Sequence, residues 1–581
     1  MPSEQNTWIP LDWHSWVSLV VFFIVIGLVI HPLSFRLPSS RFVKRSSRLT
    51  IGLGAAPILG ILFLWATTCI GWQQIVDGFL GREGIQPYSI VILLFALAYI
   101  CVSLDLSGIF AFLALWVTKK SGASGQWLFF YFYILALVLA ALTSNDVVIL
   151  TFTPILVYFS RSVNVDPKPF LMAEFIAANT ASMALYIGNP TNIVVAQAYS
   201  ISFFQYSAWM IIPFLGASVI SYIMLRIVFR NHIPTTLNAP DVVPRSALIH
   251  PKAAIIGIVI LFSCLITLIV TSFWEVPVWE VTLPFACIML IRDVVADLFA
   301  ARKTASAVKS LTSENKSNIE VAPVSENKSI NSLSVVECGE KTQYDCYSRR
   351  ALSMADIEQF ELQDYVDEEA LDENNIASTS GPREASVKSA PNLTSSITNS
   401  SKRSKTSRHN PCHLIAKFSP TLDSAISRMP WAIAPFAIGM FILVEALNHR
   451  GWTNRFAVAM MHITPSLVPA VFAVGVVSTL ACNLLNNLPM AILFVRILQD
   501  PHFVVDEATK RACLFALIIG SNLGANLTII GSLAGLMWSD ILKRKNVVIT
   551  YFTFLKWNIG ILPIVLVVTC GILAAELTII G

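Results

Sequence analysis

Long apolar runs recur along the chain, near 15–33, 49–70, 88–105, 171–196, 207–229, 252–272, 279–295, 430–448, 511–541 and 551–579. A helix needs roughly 20 apolar residues to cross a bilayer core, so these runs predict ten membrane spans. Two further stretches, 127–160 and 466–499, are equally apolar but interrupted in the middle. The first carries Thr143-Ser144-Asn145-Asp146, and the second carries Asn483, Asn486-Asn487 and Pro489. Each predicts a re-entrant hairpin with a polar tip.

Composition agrees with the pattern. Of 581 residues, 55% are hydrophobic and 13% are charged, against about 25% charged in a soluble domain. The mean hydropathy is +0.66. The net charge of +4 matters less than its placement. Lys and Arg collect on the cytoplasmic side of a membrane protein. The loop after the first run holds Arg36, Arg41, Lys44, Arg45 and Arg48 with no acid. Lys119, Lys120, Arg161, Lys168, Arg226, Arg230, Arg245, Lys252 and the Lys543-Arg544-Lys545 cluster fall on the same side in this count. The loop QDPHFVVDEATK falls outside, as do both termini. The N-terminus has no basic region before its first run and no small-residue cleavage site, so that run is expected to be a retained span rather than a signal peptide. The ten cysteines show no C-x-x-C pair or metal-ligand spacing. Seven of them, Cys69, Cys101, Cys264, Cys287, Cys482, Cys513 and Cys570, sit in apolar runs and are expected to be small buried hydrophobes.

The polar breaks repeat. Asn145 precedes Asn179 by 34 residues and Gly188 by 43, while Asn487 precedes Asn522 by 35 and Gly531 by 44. The first half starts outside and the second starts inside. The expected fold is an all-α polytopic membrane protein made of two inverted repeats, each with five spans and one re-entrant hairpin. The first repeat is expected over 1–235 and the second over 252–295 and 430–581. Residues 296–428 are rich in Ser, Thr and Asn, with SENKS at 313–317 and again at 325–329, an acidic stretch over Asp356–Glu373 and a basic one at Lys402-Arg403-Ser404-Lys405. Little there can bury a core, so a disordered cytoplasmic loop is expected.

Inverted repeats in transporters place the site near the midplane, between discontinuous helices. Backbone unwound at membrane depth is tolerated only inside protein or beside a watery cavity. It exposes helix N-termini, which attract electron-rich atoms, and free carbonyls at helix C-termini. The candidate site is therefore Ser144, Asn145 and Asp146; Gly188, Asn189, Pro190, Thr191 and Asn192; Asn486 and Asn487; and Asn522, Gly531 and Ser532. Asp146 is the sharpest of these, because a carboxylate inside a membrane marks an ion or proton pathway by default. Asp105 is a second candidate for proton coupling. With Glu445 it occupies a similar place near the end of the third span of each half. Arg496 is expected to snorkel to the outer surface. Cys482 could meet a thiophilic cargo, although packing is the commoner role of a lone buried cysteine. A receptor or scaffold would not need midmembrane breaks. There is no nucleophile elbow, metal triad or phosphate loop, so no catalytic residue, metal or cofactor is expected. No nucleic-acid partner is expected either.

The strings ALTSNDVVILTFTPIL, FIAANTASMALYIGNPTNIVVA, NNLPMAILFVRIL and IIGSNLGANLTIIGSLAGLMWSDILKRK resemble the arsenical pump membrane protein family of the ion transporter superfamily. The resemblance covers most of the chain outside 300–425. It implies a secondary transporter that exports arsenite or antimonite in exchange for protons, working as a homodimer in the plasma membrane, or alternatively in a vacuolar or other organellar membrane. A cytosolic ATPase or regulatory partner is a further implication. Relatives in the superfamily carry citrate and dicarboxylates, silicic acid, or sodium against protons. Asn-Asn-Leu stands at the second hairpin where the carboxylate carriers show Ser-Asn-Thr, which disfavours a dicarboxylate.

Overall fold

The computed structural model describes residues 8–36, 48–82, 84–237, 243–274, 276–319 and 419–580. It divides into two compact units, Met1–Asp293 with Ala425–Gly581 and, separately, Val294–Ser424.

The first half opens with α1 (Trp13–Ile30). Its N-cap Asp12 accepts from the Ser15 amide at 2.9 Å and from His14 at 2.8 Å, which holds the Asp12 carboxyl well below the usual carboxylate range. A two-stranded antiparallel ribbon follows, β1 (Leu33–Arg36) and β2 (Arg48–Ile51), which the hydropathy pattern does not predict. The expected span over 49–70 is realised as β2 and the shorter α2 (Ala55–Ala66), which α3 (Trp72–Leu80) extends. At 1.5 Å per residue α2 is only about 18 Å long. Then come α4 (Pro87–Leu106), α5 (Ile109–Ser121), α6 (Gly125–Leu142), α7 (Asn145–Ser162), α8 (Lys168–Ala181), α9 (Pro190–Ala198) and α10 (Phe203–Val228).

The second half repeats the order with α11 (Pro251–Thr271), α12 (Val278–Ile319), α13 (Pro420–Arg428), α14 (Ile433–His449), α15 (Trp452–Ile463), α16 (Leu467–Leu485), α17 (Asn487–Gln499), α18 (Glu507–Leu523), α19 (Leu533–Arg544) and α20 (Tyr551–Ile579). Eight helices among the described residues are long and apolar enough to cross a membrane. Two of them, α6 and α16, are the first limbs of the hairpins; the others are expected spans. The two remaining interrupted spans are built in pieces, as α8 with α9 and as α18 with α19. This is an all-α polytopic membrane protein of two inverted repeats, each with one re-entrant hairpin.

Packing follows the repeat. The pair α6 and α8 corresponds to α16 and α18, and α7 packs on α19 as α17 packs on α9. The second limb of each hairpin therefore rests on the broken span of the other repeat. Phe175, Trp538 and Phe554 from α8, α19 and α20 fill that joint, with ring centroids 5.0–5.7 Å apart.

The short helices α5 and α15 carry no hydropathy signal strong enough to show in the sequence. Each is entered through a glycine in the left-handed region, Gly108 at φ +83° and Gly451 at φ +75°. At Gly108 a Cβ would also lie 2.0 Å from the Ala247 carbonyl oxygen. These turns set the register of the repeats. Asp105 lies three residues before its glycine and Glu445 lies six before its own, so the two carboxylates are not equivalent. Asn448 occupies the register of Asp105.

Helix α12 continues to Ile319, past the boundary expected at 296. In the second unit, the Asp297 carboxylate accepts from the Ser419 hydroxyl at 2.5 Å and from the Thr421 amide and hydroxyl at 2.9 and 2.7 Å. The ends of the inserted segment thus meet. The remainder of that segment, including the acidic and basic stretches and the second SENKS, lies outside the described residues, as do Arg41, Lys44 and Arg45 of the first loop. Of the seven cysteines singled out in apolar runs, six are buried and Cys287 is exposed, because α12 turns that face away from its neighbours.

Candidate functional site

The first hairpin turns within two residues. Ser144 is extended and caps α7, its hydroxyl oxygen accepting from the Val147 amide at 3.3 Å. Asn145 is buried and used at both ends of its side chain. Its Oδ1 accepts from the Asp146 amide at 2.9 Å, and its Nδ2 donates to Asn179 Oδ1 at 3.0 Å. The Asp146 carboxylate, in contrast, bonds no described side chain. It lines a cavity of about 50 Å³ together with Thr143, Ser144, Ile187 and Pro190, closed by apolar side chains of α4 and by Pro430 and Ile433.

The break in the following span is held by its own side chains. A single 3-10 turn, Tyr186–Gly188, separates α8 from α9. Asn192 Nδ2 donates to the carbonyls of Ser182 (2.7 Å) and Leu185 (3.2 Å), satisfying acceptors that the unwound backbone frees. A Cβ at Gly188 would lie 2.3 Å from the Ser182 oxygen, so the turn closes only with glycine there. Asn189 caps α9, accepting from the Thr191 amide at 3.2 Å.

The second repeat solves the same problem with other residues. Ser532 stands where Asn189 stands and caps α19, accepting from the Gly535 amide at 3.1 Å. Asn483 Nδ2 donates to the Thr479 and Gly524 carbonyls at 2.7 and 3.0 Å, and its Oδ1 accepts from the Thr528 hydroxyl at 2.5 Å. It also sits 2.8 Å from where a Cβ on Gly531 would be. At the hairpin tip Asn486 takes φ +69°, and its Nδ2 donates to the Ile530 carbonyl at 3.2 Å while its buried Oδ1 has no partner. Asn487 follows, buried, with no described partner for its amide. Leu488, 4% exposed, fills the register of Asp146.

The two breaks are bonded to each other. Asn522 Oδ1 accepts from Asn189 Nδ2 at 2.9 Å and from the Ser182 hydroxyl at 2.7 Å, and Asn522 Nδ2 donates to Asn192 Oδ1 at 2.8 Å. The Ser521 hydroxyl donates to that of Thr191 at 3.2 Å. Asn179 Nδ2 donates to Asn526 Oδ1 at 3.1 Å, joining the first hairpin to the same network. Of the residues expected from sequence, Asn145, Asn189, Thr191, Asn192 and Asn522 thus meet in one buried network; Ser144 and Ser532 cap helices beside it, the Asp146 carboxylate faces its cavity, and Asn486, Asn487 and Asp105 are not bonded into it. Asp105 pairs with Arg428 at 3.0 Å and does not line the Asp146 cavity. The network adds Asn179, Ser182, Ser521 and Asn526. Of these, Ser521 and Asn526 belong to the polar break around Asn522 and Asn179 stands at a regular spacing from Asn145, whereas Ser182 gave no signal in the sequence.

Two other expectations change. Arg496 does not reach the surface. It lies buried and pairs with buried Glu445 at 3.2 Å, and its Nη1 donates to Gln499 Oε1 at 3.4 Å. Gln499 in turn donates to the Ala198 carbonyl of α9 at 3.1 Å. The Cys482 thiol faces the Gly520 and Ser521 carbonyls of α18 at 3.6 and 3.8 Å. The thiol-bearing residue that lines the Asp146 cavity is Cys101.

Paired hairpins, paired broken spans and a polar joint between them define a membrane transporter for ions or small molecules. Residues 14–306, half of the chain, match the family model described as citrate transporter, and residues 412–575 match that of the arsenical pump membrane protein. The chain belongs to the citrate transporter family, within the ion transporter superfamily, and its C-terminal part is similar to the arsenical pump membrane protein family. It is 24% identical over 489 residues to an arsenical pump membrane protein of Yersinia enterocolitica and 23% identical over 492 residues to one of Escherichia coli, in each case over 83% of this chain and 85% of the relative. The YdaH transporter of Alcanivorax borkumensis aligns over 97% of both chains with a TM-score of 0.46 and 13% identity.

Proposed function

We propose that the protein exports arsenite or antimonite as the neutral hydroxide, in exchange for protons, with Asp146 as the proton-carrying group. The observation that carries this reading is the charge balance of the site. Amide and hydroxyl side chains make up the joint, Asp146 is the one charged side chain lining its cavity among the described residues, and no Lys or Arg lies beside it. In this cavity a neutral trihydroxide finds a donor in the Ser144 hydroxyl at the N-terminus of α7 and an acceptor in the Asp146 carboxylate, with the amide network behind them. Citrate would bring several negative charges to a site that already holds one and offers no cation to pair them. The names of the relatives support the same cargo.

A carboxylate that faces the cavity without a fixed cationic partner is free to change its protonation, which exchange with protons requires. The reading places the carrier in the plasma membrane as a homodimer, with or without a cytosolic ATPase partner. The test is uptake into everted vesicles of arsenite, silicic acid, citrate and sodium, with and without an imposed pH gradient. Arsenite uptake that follows the gradient and is lost in Asp146→Asn, at unchanged membrane abundance, is the expected result. Uptake of citrate or sodium in its place overturns the cargo, and wild-type arsenite uptake by the variant overturns the role of Asp146.

A further inference from the structure

A second cavity, of about 220 Å³, opens where the first residues of α4, α10 and α12 meet the last residues of α9 and α11. The loop charges assign this end of the bundle to the outside. Its polar lining consists of Gln86, Tyr186, Gln197, Ser200, Ser202 and Ser272, with Phe203 and aliphatic side chains between them. No Lys, Arg, Asp or Glu lines it among the described residues. Two of the polar groups lack partners. Tyr186 is 3% exposed, and its hydroxyl bonds no described group. Gln197 is fixed by its Nε2, which donates to Ser89 Oγ at 2.9 Å, and this leaves its Oε1 buried and unbonded. A buried acceptor left in that state is costly, so Gln197 calls for a donor from the cavity, and the Tyr186 hydroxyl adds a donor to its lining.

The cavity stands in a definite relation to the amide network. Tyr186 lines it, while the next residue, Ile187, lines the cavity that holds Asp146. The turn Tyr186–Gly188 and the helix α9 thus each contribute to both chambers, and the turn is tied at its base by Asn192 on the Leu185 carbonyl. A liquid water occupies about 30 Å³, so the chamber holds several waters or one small solute. A bare ion entering it would lose hydration with no fixed charge from the described lining residues in return. A neutral molecule with several hydroxyls would both accept from Tyr186 and donate to Gln197.

We propose that this chamber is a second binding station, on the far side of the Tyr186–Gly188 turn from Asp146, for a small neutral polyhydroxylated solute held by Tyr186 and Gln197. The proposal rests on the reading of the cargo given above and deepens it: the solute crosses the turn uncharged and pauses on both sides of it.

The test uses the full-length protein in right-side-out and in everted vesicles, with arsenous acid and silicic acid as neutral probes and citrate and sodium as charged ones. Tyr186→Phe keeps the ring and removes one hydroxyl, and Gln197→Leu removes the orphaned acceptor. Each is expected to raise the half-saturating concentration of the neutral probe about 3- to 10-fold from the face on which the chamber opens, the loss of one hydrogen bond. The value from the opposite face stays at that of the wild type, and the ratio of the maximal rates in the two directions shifts by the same factor, as the fixed overall equilibrium requires. Unchanged values in both variants, with arsenous acid carried by the wild type, overturn the station alone. Equal changes at both faces show a structural effect and also overturn it. A wild type that carries citrate or sodium but neither neutral probe, or none of the four, overturns the cargo reading and with it the ligand class of this station.

Discussion

The tips of the two hairpins occupy the same place in the repeat and do opposite things. At the first, Asn145 is bonded at both ends of its amide, the backbone at Ser144 is extended, and Asp146 opens on a cavity. At the second, Asn487 bonds no described group, Asn486 sits at φ +69°, and buried Leu488 stands for the carboxylate. The second limbs differ in the same spirit. In α7, the Thr153 hydroxyl donates to buried Glu174 at 2.7 Å, a hydroxyl-to-carboxyl contact, whereas α17 is tied to α14 by the Arg496–Glu445 ion pair. One hairpin carries a carboxylate at its tip and a hydroxyl-to-carboxyl contact at its limb; the other carries a neutral tip on an Arg–Glu anchor. An inverted repeat thus conserves the breaks while dividing chemistry and anchoring between its copies.

The strongest way to break this contrast is to move the carboxylate. Asp146→Asn is expected to lower gradient-driven arsenite uptake by about 100-fold, at the lower end of what a positioned proton-transfer group contributes. Adding Leu488→Asp to that variant should not restore it, because the new carboxylate would lie in packed surroundings instead of beside a cavity. Restored uptake in the double variant would show the tips to be interchangeable.

Next comes the anchor. Removing one partner of a buried ion pair leaves an uncompensated charge and costs about 3–5 kcal/mol. Arg496→Met should therefore lower the thermal midpoint of the purified full-length protein far more than the double change Arg496→Met with Glu445→Gln, which leaves no charge behind. Equal losses in the single and double variants would show that the pair is solvated and anchors nothing.

A smaller effect separates the two tip asparagines. Asn145→Ala leaves the Asn179 amide oxygen without its donor, at a cost of about 1–3 kcal/mol, whereas Asn487→Ala breaks no described bond and should cost under about 1 kcal/mol. Denaturation midpoints of the two variants test the difference, and a larger loss at Asn487 would reverse it.

Much of this site was legible in the sequence, because a polar residue at membrane depth must answer for its hydrogen bonds. Ser144-Asn145-Asp146, Gly188-Asn189-Pro190 and the Asn522 to Ser532 run interrupt apolar strings and repeat at nearly equal spacing, and the structure joins them. What was hidden depended on partners distant in sequence. Asn526 acquires its role only when Asn179 meets it across the repeats. Arg496 reads as a snorkelling residue until α14 brings Glu445 against it. Asp105 and Glu445 look equivalent when counted from the ends of apolar runs, but the left-handed glycines after each helix show them to be out of register. The helices α5 and α15 escaped notice because they are short and only partly apolar, and the span expected over 49–70 is shortened because β2 takes the start of its run.

The smallest expected effect concerns the backbone at the second tip. Asn486 holds a positive-φ conformation, φ +69° with ψ 152°, of a kind that costs a residue bearing a Cβ about 1–3 kcal/mol and glycine nothing. Asn486→Gly relieves that cost and removes the unpartnered Oδ1, but it forfeits the bond to the Ile530 carbonyl, a loss of about 0.5–1.5 kcal/mol. The terms oppose each other, so the change in unfolding free energy should stay within about 1 kcal/mol of zero. Asn486→Ala loses the same bond and keeps the strained φ, so it should be less stable than the glycine variant by the backbone term alone. At the first tip the order differs in origin. Ser144→Ala removes a helix cap worth about 1 kcal/mol, and Ser144→Gly costs only a few tenths, with no positive-φ residue involved. Glycine should therefore outperform alanine at both tips and stay close to the native residue at each, but only at Asn486 should the alanine be penalised by φ. Alanine and glycine variants of equal stability at Asn486 would mean that the second tip is not strained, and would leave the carboxylate as the one chemical difference between the hairpin tips.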